Sequence, residues 1–134
     1  MRAITFSYAL YKARFAPIIP VQFHGPRGWV PIWAYVDSGA SFSILAAASA
    51  ERIGLEVTRG HCVNVVVGDG SLIPVYTHRL PIRIGPLELT AHVGFSPRLG
   101  VGFDLLGRQD IFSRFDVTFS DVRRQVIFRP VPRQ

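Results

Sequence analysis

The stretch WAYVDSGAS, residues 33–41, runs from an apolar strand pattern directly into an aspartate. A carboxylate at the end of a buried strand is costly to desolvate unless neighbouring groups compensate it. Ser38 places a hydroxyl beside Asp37, and Gly39 permits unusual backbone angles and the close approach of another chain. The pattern is typical of an acidic group held in a tight loop at the floor of a cleft, although strand-end aspartates also form ordinary turns.

Strand patterns dominate the sequence on both sides of this stretch. Residues 3–12 alternate apolar with small or polar side chains, which predicts an additional N-terminal strand. Hairpins are predicted wherever two apolar runs flank turn-forming residues, namely 18–23 with 29–36, 63–67 with 72–76, 80–84 with 87–93, and 115–119 with 125–129. Many short strands with close turns predict one all-β domain over residues 1–134, built as a small barrel or sandwich.

Two short helices interrupt the predicted strands. Residues 45–53 read LAAASAERI, and alanine is the best helix former, while Gly54 stands where a C-terminal cap belongs. A second helix is predicted from about Arg108 to Arg114, after a loop at residues 97–102 that contains proline and glycine.

The composition limits the classes of function. A chain of 134 residues with 49% hydrophobic and 18% charged residues is expected to fold as one domain rather than remain disordered. The net charge of +6 comes almost wholly from arginines, which are scattered rather than clustered. We therefore predict a basic surface with no nucleic-acid partner, and a small β domain that binds RNA is the alternative.

Cysteine and histidine usage gives no sign of a metal or thiol site. Cys62 is the only cysteine, so no disulfide can form within the chain. The four histidines show no metal-ligand spacing, and we predict no metal and no cofactor. No signal peptide is evident, and no apolar run approaches the roughly 20 residues of a membrane helix, so we predict a cytoplasmic protein with no membrane segment.

Residues 36–40, VDSGA, resemble the aspartic protease signature, in which an apolar residue precedes Asp, Thr or Ser, Gly and Ala. Residues 44–45 and the segment RIGL at 52–55 are similar to the residues after that signature in bacterial and cellular retropepsin-like proteases. The segment DLLGRQDIF at 104–112 resembles the second landmark of the family, two apolar residues and a glycine leading into a short helix. The resemblance covers about residues 17–129 and implies a small closed barrel of the retropepsin type with a flap hairpin.

The resemblance also implies a homodimer, because this chain contains one such motif and aspartic proteases use two carboxylates. Two carboxylates about 3 Å apart cannot both be ionised, so the pair shares a proton and can activate a water for attack on a peptide carbonyl. The second aspartate is then expected to be Asp37 of an identical chain across a two-fold axis. The implied function is an aspartic endopeptidase that cleaves peptide or protein substrates, and the alternative is a non-proteolytic dimerisation or peptide-binding module.

Roles for the other site residues come from the resemblance, position by position. Ser38 is expected to hydrogen-bond across the two-fold axis, and Gly39 is expected to accept a substrate backbone hydrogen bond through its carbonyl. Contacts with substrate or membership of the flap are implied for Ala40, Val67, Gly68, Asp69 and Gly70. Support of the aspartate loop is implied for Leu105, Leu106, Gly107 and Arg108. An ordinary two-glycine turn is the alternative for the hairpin tip.

Two features depart from the family pattern. In viral members the residue after the alanine of the signature is often an acid that pairs with the arginine of the Gly-Arg segment, whereas here that residue is Ser41. Arg108 is therefore expected to find another acid or to stay solvated. The extra strand at residues 3–12 makes the chain longer than the viral enzymes, so the termini that form the dimer interface cannot be carried over from them.

Overall fold

The computed structural model describes residues 2–97 and 104–132, most of which lie in twelve β-strands. In chain order the strands are β1 (Ile4–Ser7), β2 (Ala9–Tyr11), β3 (Arg14–Ala16), β4 (Ile18–Gly25), β5 (Gly28–Val36), β6 (Ser43–Ala46), β7 (His61–Val66), β8 (Leu72–Ile84), β9 (Leu87–Ser96), β10 (Asp104–Leu106), β11 (Phe115–Ser120) and β12 (Gln125–Pro130). Within the same residues, one α-helix, α1, spans Ala47–Ile53 and a 3₁₀ helix spans Val57–Arg59. The protein is thus mostly β, which confirms the predicted class.

All four predicted hairpins are present as antiparallel pairs: β4 with β5, β7 with β8, β8 with β9, and β11 with β12. The sequence patterns located them because alternation and turn chemistry are local signals. The second and third hairpins share β8, whose 13 residues run without a break from the tip of one hairpin to the turn of the other. The residues between the two predicted strands, 77–79, are extended as well.

The strand pairings form a closed ring. Neighbouring strands follow the order β4, β5, β10, β6, β9 and β8, and β8 pairs back to β4 through residues Gln22 with Arg83 and Phe23 with Ile82. Alternate residues of β4 point into this ring, where Ile19, Val21 and Phe23 are fully buried. The main hydrophobic core therefore lies inside the ring, and β5 and β10 on its wall carry the aspartate loop.

The N-terminal segment is divided into two strands at Tyr8, although a single strand is predicted over residues 3–12. β1 pairs with β12 in a three-stranded sheet of order β1, β12, β11, whereas β2 pairs with β3 in a separate hairpin. Tyr8 packs in the main hydrophobic core, while its N–H donates to the Arg124 carbonyl at 2.7 Å and its hydroxyl donates to Asp121 at 2.8 Å. Leu10, two residues on, is 66% exposed, so the predicted alternation fails after this point.

The first predicted helix is confirmed from Ala47 onward. The prediction that it begins at Leu45 is wrong, since Leu45 and Ala46 belong to β6 and pair in parallel with β9. Gly54 ends the helix as predicted, because it adopts a left-handed φ of 92° and its N–H donates to the carbonyls of the last turn. No helix in the described part of the chain is both long and apolar enough to cross a membrane.

The second predicted helix is wrong, because residues 108–114 form consecutive turns. Phe112 donates to the Arg108 carbonyl at 2.9 Å, as one helical turn would require, but Asp110 has a φ of 65°. A left-handed residue inside the turn prevents a regular helix from continuing. Of the loop predicted before it, residues 98–102 lie outside the described residues.

Candidate active site

Asp37 follows the last residue of β5 and is held from the side by β10. The two strands are parallel neighbours, with Leu105 opposite Tyr35 and Leu106 opposite Val36. Beyond the last pair, the N–H of Asp37 donates to the Leu106 carbonyl at 3.0 Å. Because that bond continues the pairing past the end of β5, the backbone of Asp37 is fixed by the core although its side chain is only half-buried.

The loop after Asp37 folds back onto the carboxylate. The N–H of Gly39 donates to Asp37 Oδ1 at 2.8 Å, and the N–H of Ala40 donates to the Asp37 carbonyl at 3.2 Å. A Cβ on residue 39 would lie 3.2 Å from Asp37 Oδ1, which is closer than most side chains tolerate. Glycine therefore suits this position, since it brings a backbone donor against the carboxylate without steric crowding.

The segment predicted to support the loop lies beside it. Leu105 pairs with Ile44 of β6 as well as with β5, and Leu106 is buried in the core. The N–H of Arg108 donates to the Ala40 carbonyl at 3.0 Å, and the N–H of Gln109 donates to the Ser41 carbonyl at 2.9 Å. Two consecutive residues thus hold the far side of the aspartate loop through backbone bonds.

Gly107 makes the closest approach in this support. A Cβ on residue 107 would lie 2.9 Å from Phe42 Cα and nearer still to the carbonyl group of Phe42. The N–H of Gly107 also donates to the hydroxyl of Ser43 at 2.9 Å, and Ser43 is 1% exposed. The contact requires glycine because the neighbouring atoms are backbone and cannot move aside by rotation.

Arg108 contacts the aspartate loop through its backbone N–H, which donates to the Ala40 carbonyl, and not through its side chain. Its guanidinium is exposed, and among the described residues no carboxylate lies within 4.0 Å of it. Ser41, which stands where viral members often have an acid, is also exposed and bonds through its carbonyl. The side chain of Arg108 accordingly stays in solvent, one of the two outcomes expected from the sequence.

The hairpin tip between β7 and β8 is a compact turn over residues 67–71. The N–H of Val67 donates to the Ser71 carbonyl at 2.9 Å, and the N–H of Gly70, at a φ of 84°, donates back to the Val67 carbonyl at 2.8 Å. Asp69 accepts hydrogen bonds from both the hydroxyl and the N–H of Ser71, and these bonds hold the pKa of Asp69 below its ordinary value. The tip is thus ordered by its own polar groups while it projects into solvent.

A cleft of about 660 Å³ separates this tip from the aspartate loop. Of the residues predicted for the site, the cleft is lined by Asp37, Gly39, Ala40, Val67, Gly68, Asp69 and Leu105. Gly70, Leu106, Gly107 and Arg108 are not among the lining residues. Apolar side chains complete the walls, contributed by Phe42, Ile44, Val65 and Ile73. Asp37 therefore lines a largely apolar groove from the side of the aspartate loop, and Asp69 lines it from the hairpin tip.

Ser38 faces away from this cleft. It borders a smaller groove of about 280 Å³ that also touches Asp37, Tyr8, Pro17 and Phe119. Phe119 is 38% exposed, so part of this groove is an uncovered aromatic surface. The aspartate loop consequently has two accessible sides, one on the large cleft and one beside Ser38.

Two polar residues of the site were missed by the sequence patterns. Ser43 is the buried acceptor for Gly107, and Asp104 accepts hydrogen bonds from the Ala46 N–H and the Ser49 hydroxyl, both at 2.7 Å. Asp104 thereby ties β10 to the start of α1, which has no cap from its own sequence. No local signal could reveal these bonds, since their partners lie more than 50 residues away.

Other candidates do not assemble into a second site. Cys62 is exposed on β7. In residues 2–97 and 104–132, no three side chains among His, Cys, Asp and Glu lie close enough together to hold a metal ion.

Known proteins share sequence and fold features with this chain. A family model described as aspartyl protease matches residues 19–106. The retropepsin-like aspartic protease from Rickettsia conorii superposes with a TM-score of 0.67 at 20% identity, over 95% of this chain and 91% of that one. The retroviral protease-like domain of Ddi1 from Leishmania major superposes with a TM-score of 0.58 at 20% identity, over 87% of this chain and 94% of that one.

A third similar structure is the EIAV protease in complex with the inhibitor HBY-793. It superposes with a TM-score of 0.55 at 18% identity, over 75% of this chain and 88% of that one. No match was found among curated proteins by sequence. At these identities the solved structures establish the fold, which is retropepsin-like, as the sequence motifs indicate.

Proposed function

This chain belongs to the aspartyl protease family, and on that premise we propose that it is one subunit of a homodimeric aspartic endopeptidase. Asp37 pairs with Asp37 of a second copy, and the two carboxylates share one proton. The ionised carboxylate takes a proton from a water molecule while the protonated one donates to the scissile carbonyl. Water then attacks the peptide directly, with no covalent intermediate and no cofactor.

The observation that carries this proposal is the position of Asp37. Its backbone is fixed by β10, its carboxylate accepts the Gly39 N–H, and it lies at the floor of the 660 Å³ cleft beneath the β7–β8 tip. An extended peptide can lie in such a groove as an added strand, bonded through its main chain and sorted by pockets for its side chains. The tip then acts as a flap that excludes water from the bound substrate.

A second copy is needed because the other aspartates of the chain are occupied elsewhere. Asp69 is bonded within the hairpin tip, and Asp104 accepts hydrogen bonds from the Ala46 N–H and the Ser49 hydroxyl. Asp110 contacts His92, and Asp121 accepts the Tyr8 hydroxyl. Asp116 is exposed on β11, away from the cleft.

The groove beside Ser38 supports the direction from which the second copy approaches. A two-fold axis next to Asp37 brings the two aspartate loops together on the side that does not face the cleft. Ser38 lies on that side, exposed and next to the uncovered ring of Phe119. Its hydroxyl is proposed to hydrogen-bond to the backbone of the second loop.

The test is cleavage of a peptide library or casein by the full chain and by Asp37→Asn. Asparagine keeps an oxygen that can accept the Gly39 N–H, so the variant should fold normally, yet it cannot act as the general base. We expect activity to fall by at least about a thousandfold. Asp116→Asn is the matched control, since it removes the same charge from an exposed strand position and should leave activity unchanged.

Three further measurements bear on the same proposal. Activity per chain should rise with protein concentration as dimers form, and it should decline above neutral pH, because the pair must keep one proton. A statine-like transition-state mimic should inhibit cleavage. A fully active Asp37→Asn variant would refute the role of Asp37, and a wild-type chain that binds peptides without cleaving them would favour the non-proteolytic alternative.

A further inference from the structure

Asp110 occupies an unusual position at the end of the segment that supports the aspartate loop. Its φ of 65° is left-handed, a region that aspartate and asparagine adopt more readily than most other non-glycine residues. One of its carboxylate oxygens, Oδ2, accepts the backbone N–H of His92 at 2.8 Å and also contacts His92 Nδ1 at 2.9 Å. Both bonds lead to β9, so the side chain ties this turn to the wall of the barrel.

The bond to the His92 backbone falls where β9 loses a strand partner. β6 pairs with β9 from Val93 onward, so the N–H of His92 lies just before the first residue pair of that ladder. The carboxylate of Asp110 supplies the acceptor at this point. The Asp110 side chain therefore takes the place of a strand partner for β9 at His92, just before the pairing of β6 with β9 begins.

The same segment holds the aspartate loop at its other end. Arg108 and Gln109 donate their N–H groups to the carbonyls of Ala40 and Ser41. Asp110 is the next residue, so its bonds to β9 fix the direction in which those two N–H groups point. A chain of hydrogen bonds thus runs from β9 through Asp110 to the loop that carries Asp37.

The charges around Asp110 favour its ionised form. Burial by itself raises the pKa of Asp110, but the hydrogen bonds from the backbone and ring of His92, together with the charges of His92 and Arg79, outweigh it and lower the pKa. Arg79 lies on β8 directly opposite His92. The ionised carboxylate is accordingly favoured as the acceptor of the His92 N–H.

We infer that Asp110 is a positioning residue for the catalytic aspartate, acting through the backbone of residues 108 and 109 on the loop at 37–41. The inference rests on the proposed function, since the consequence of correct positioning is proteolysis. It assigns no contact between Asp110 and the substrate, because Asp110 does not line the cleft.

The experiment compares three variants of the full chain. Asp110→Gly tolerates the left-handed φ but removes the acceptor, whereas Asp110→Asn keeps an acceptor oxygen and tolerates the same φ. For Asp110→Gly we expect kcat to fall roughly ten- to a hundredfold while KM changes by less than about threefold, because a small displacement of the reacting groups slows chemistry more than binding. Asp110→Asn should restore most of kcat, and Asp116→Asn should match the wild type.

A second readout does not depend on activity. Amide hydrogen exchange of Arg108 and Gln109, measured by NMR in the Asp37→Asn background, should be at least about tenfold faster in Asp110→Gly than in Asp110→Asn.

The outcomes separate this inference from the proposed function. Faster exchange in a chain that never cleaves peptide would support the positioning role and refute the protease. Unchanged exchange and unchanged kcat in the variant that lacks the acceptor would overturn the positioning role, whatever the activity of the wild type.

Discussion

Replacing Gly107 by alanine tests whether the close contact beneath the aspartate loop stabilises the fold. The new methyl group would lie 2.9 Å from Phe42 Cα and closer to the Phe42 carbonyl, so the backbone of one of the two segments must shift. Residue 107 also donates to the buried Ser43 hydroxyl, and that bond is strained by the same shift. Overpacking of this kind costs about 2–3 kcal/mol. For a chain of this size, such a loss lowers Tm by roughly 8–12 °C.

The assay is thermal and urea denaturation at one fixed protein concentration, since dimer formation would otherwise contribute to the measured stability. Gly68→Ala is the matched control, because no atom outside residues 67–69 lies within 4 Å of the position its methyl group would take. Its stability should stay within about 0.5 kcal/mol of the wild type. If Gly107→Ala has the same melting temperature as Gly68→Ala, the reasoning from the close contact of residue 107 with Phe42 is refuted.

Two further substitutions probe polar contacts near the site. Asp104→Ala leaves the buried Ser49 hydroxyl and the Ala46 N–H without their acceptor. We expect urea denaturation to show that the free energy of unfolding falls by about 2–3 kcal/mol. A variant as stable as the wild type would contradict this. Tyr8→Phe removes the donor to Asp121; burial first, and then that hydrogen bond, raises the pKa of Tyr8 from 10.0 to about 12. Because folding favours the neutral phenol, the wild type should exceed Tyr8→Phe in melting temperature by its full amount below about pH 10. This difference should shrink as the pH rises toward 12. A difference that does not change with pH would contradict the raised pKa of Tyr8.

The aspartate loop and the hairpins could be predicted from the sequence because their signals are local. An apolar strand that ends in Asp-Ser-Gly places Asp37 at a strand end, and the glycines at residues 68 and 70 mark the hairpin tip. The ordered motifs then identified the fold. The structure adds that the aspartate loop and the hairpin tip line the same cleft.

Other features depend on contacts between distant residues, which local patterns do not contain. β6 and β10 are only four and three residues long, and each is defined by partners far along the chain. The helix predicted at 108–114 was prevented by the contact of Asp110 with His92. Near the tip of the β7–β8 hairpin, Val65, Val66 and Val67 are all apolar, so alternation could not show that Val66 is 66% exposed while its neighbours are half-buried.

The continuity of β8 has a mechanical consequence for the proposed flap. Residues 76–84 of β8 pair with β9, and just beyond that pairing the Ser96 hydroxyl donates to the Pro74 carbonyl at 2.7 Å. The part of β8 before residue 76 extends beyond β9, and no loop separates it from the part that is paired with β9. The hairpin is therefore expected to bend along its length rather than rotate about a hinge. If the hairpin acts as the proposed flap, its opening bends this paired two-stranded ribbon. We therefore expect the stiffness of the ribbon to limit how large a substrate side chain the cleft can admit.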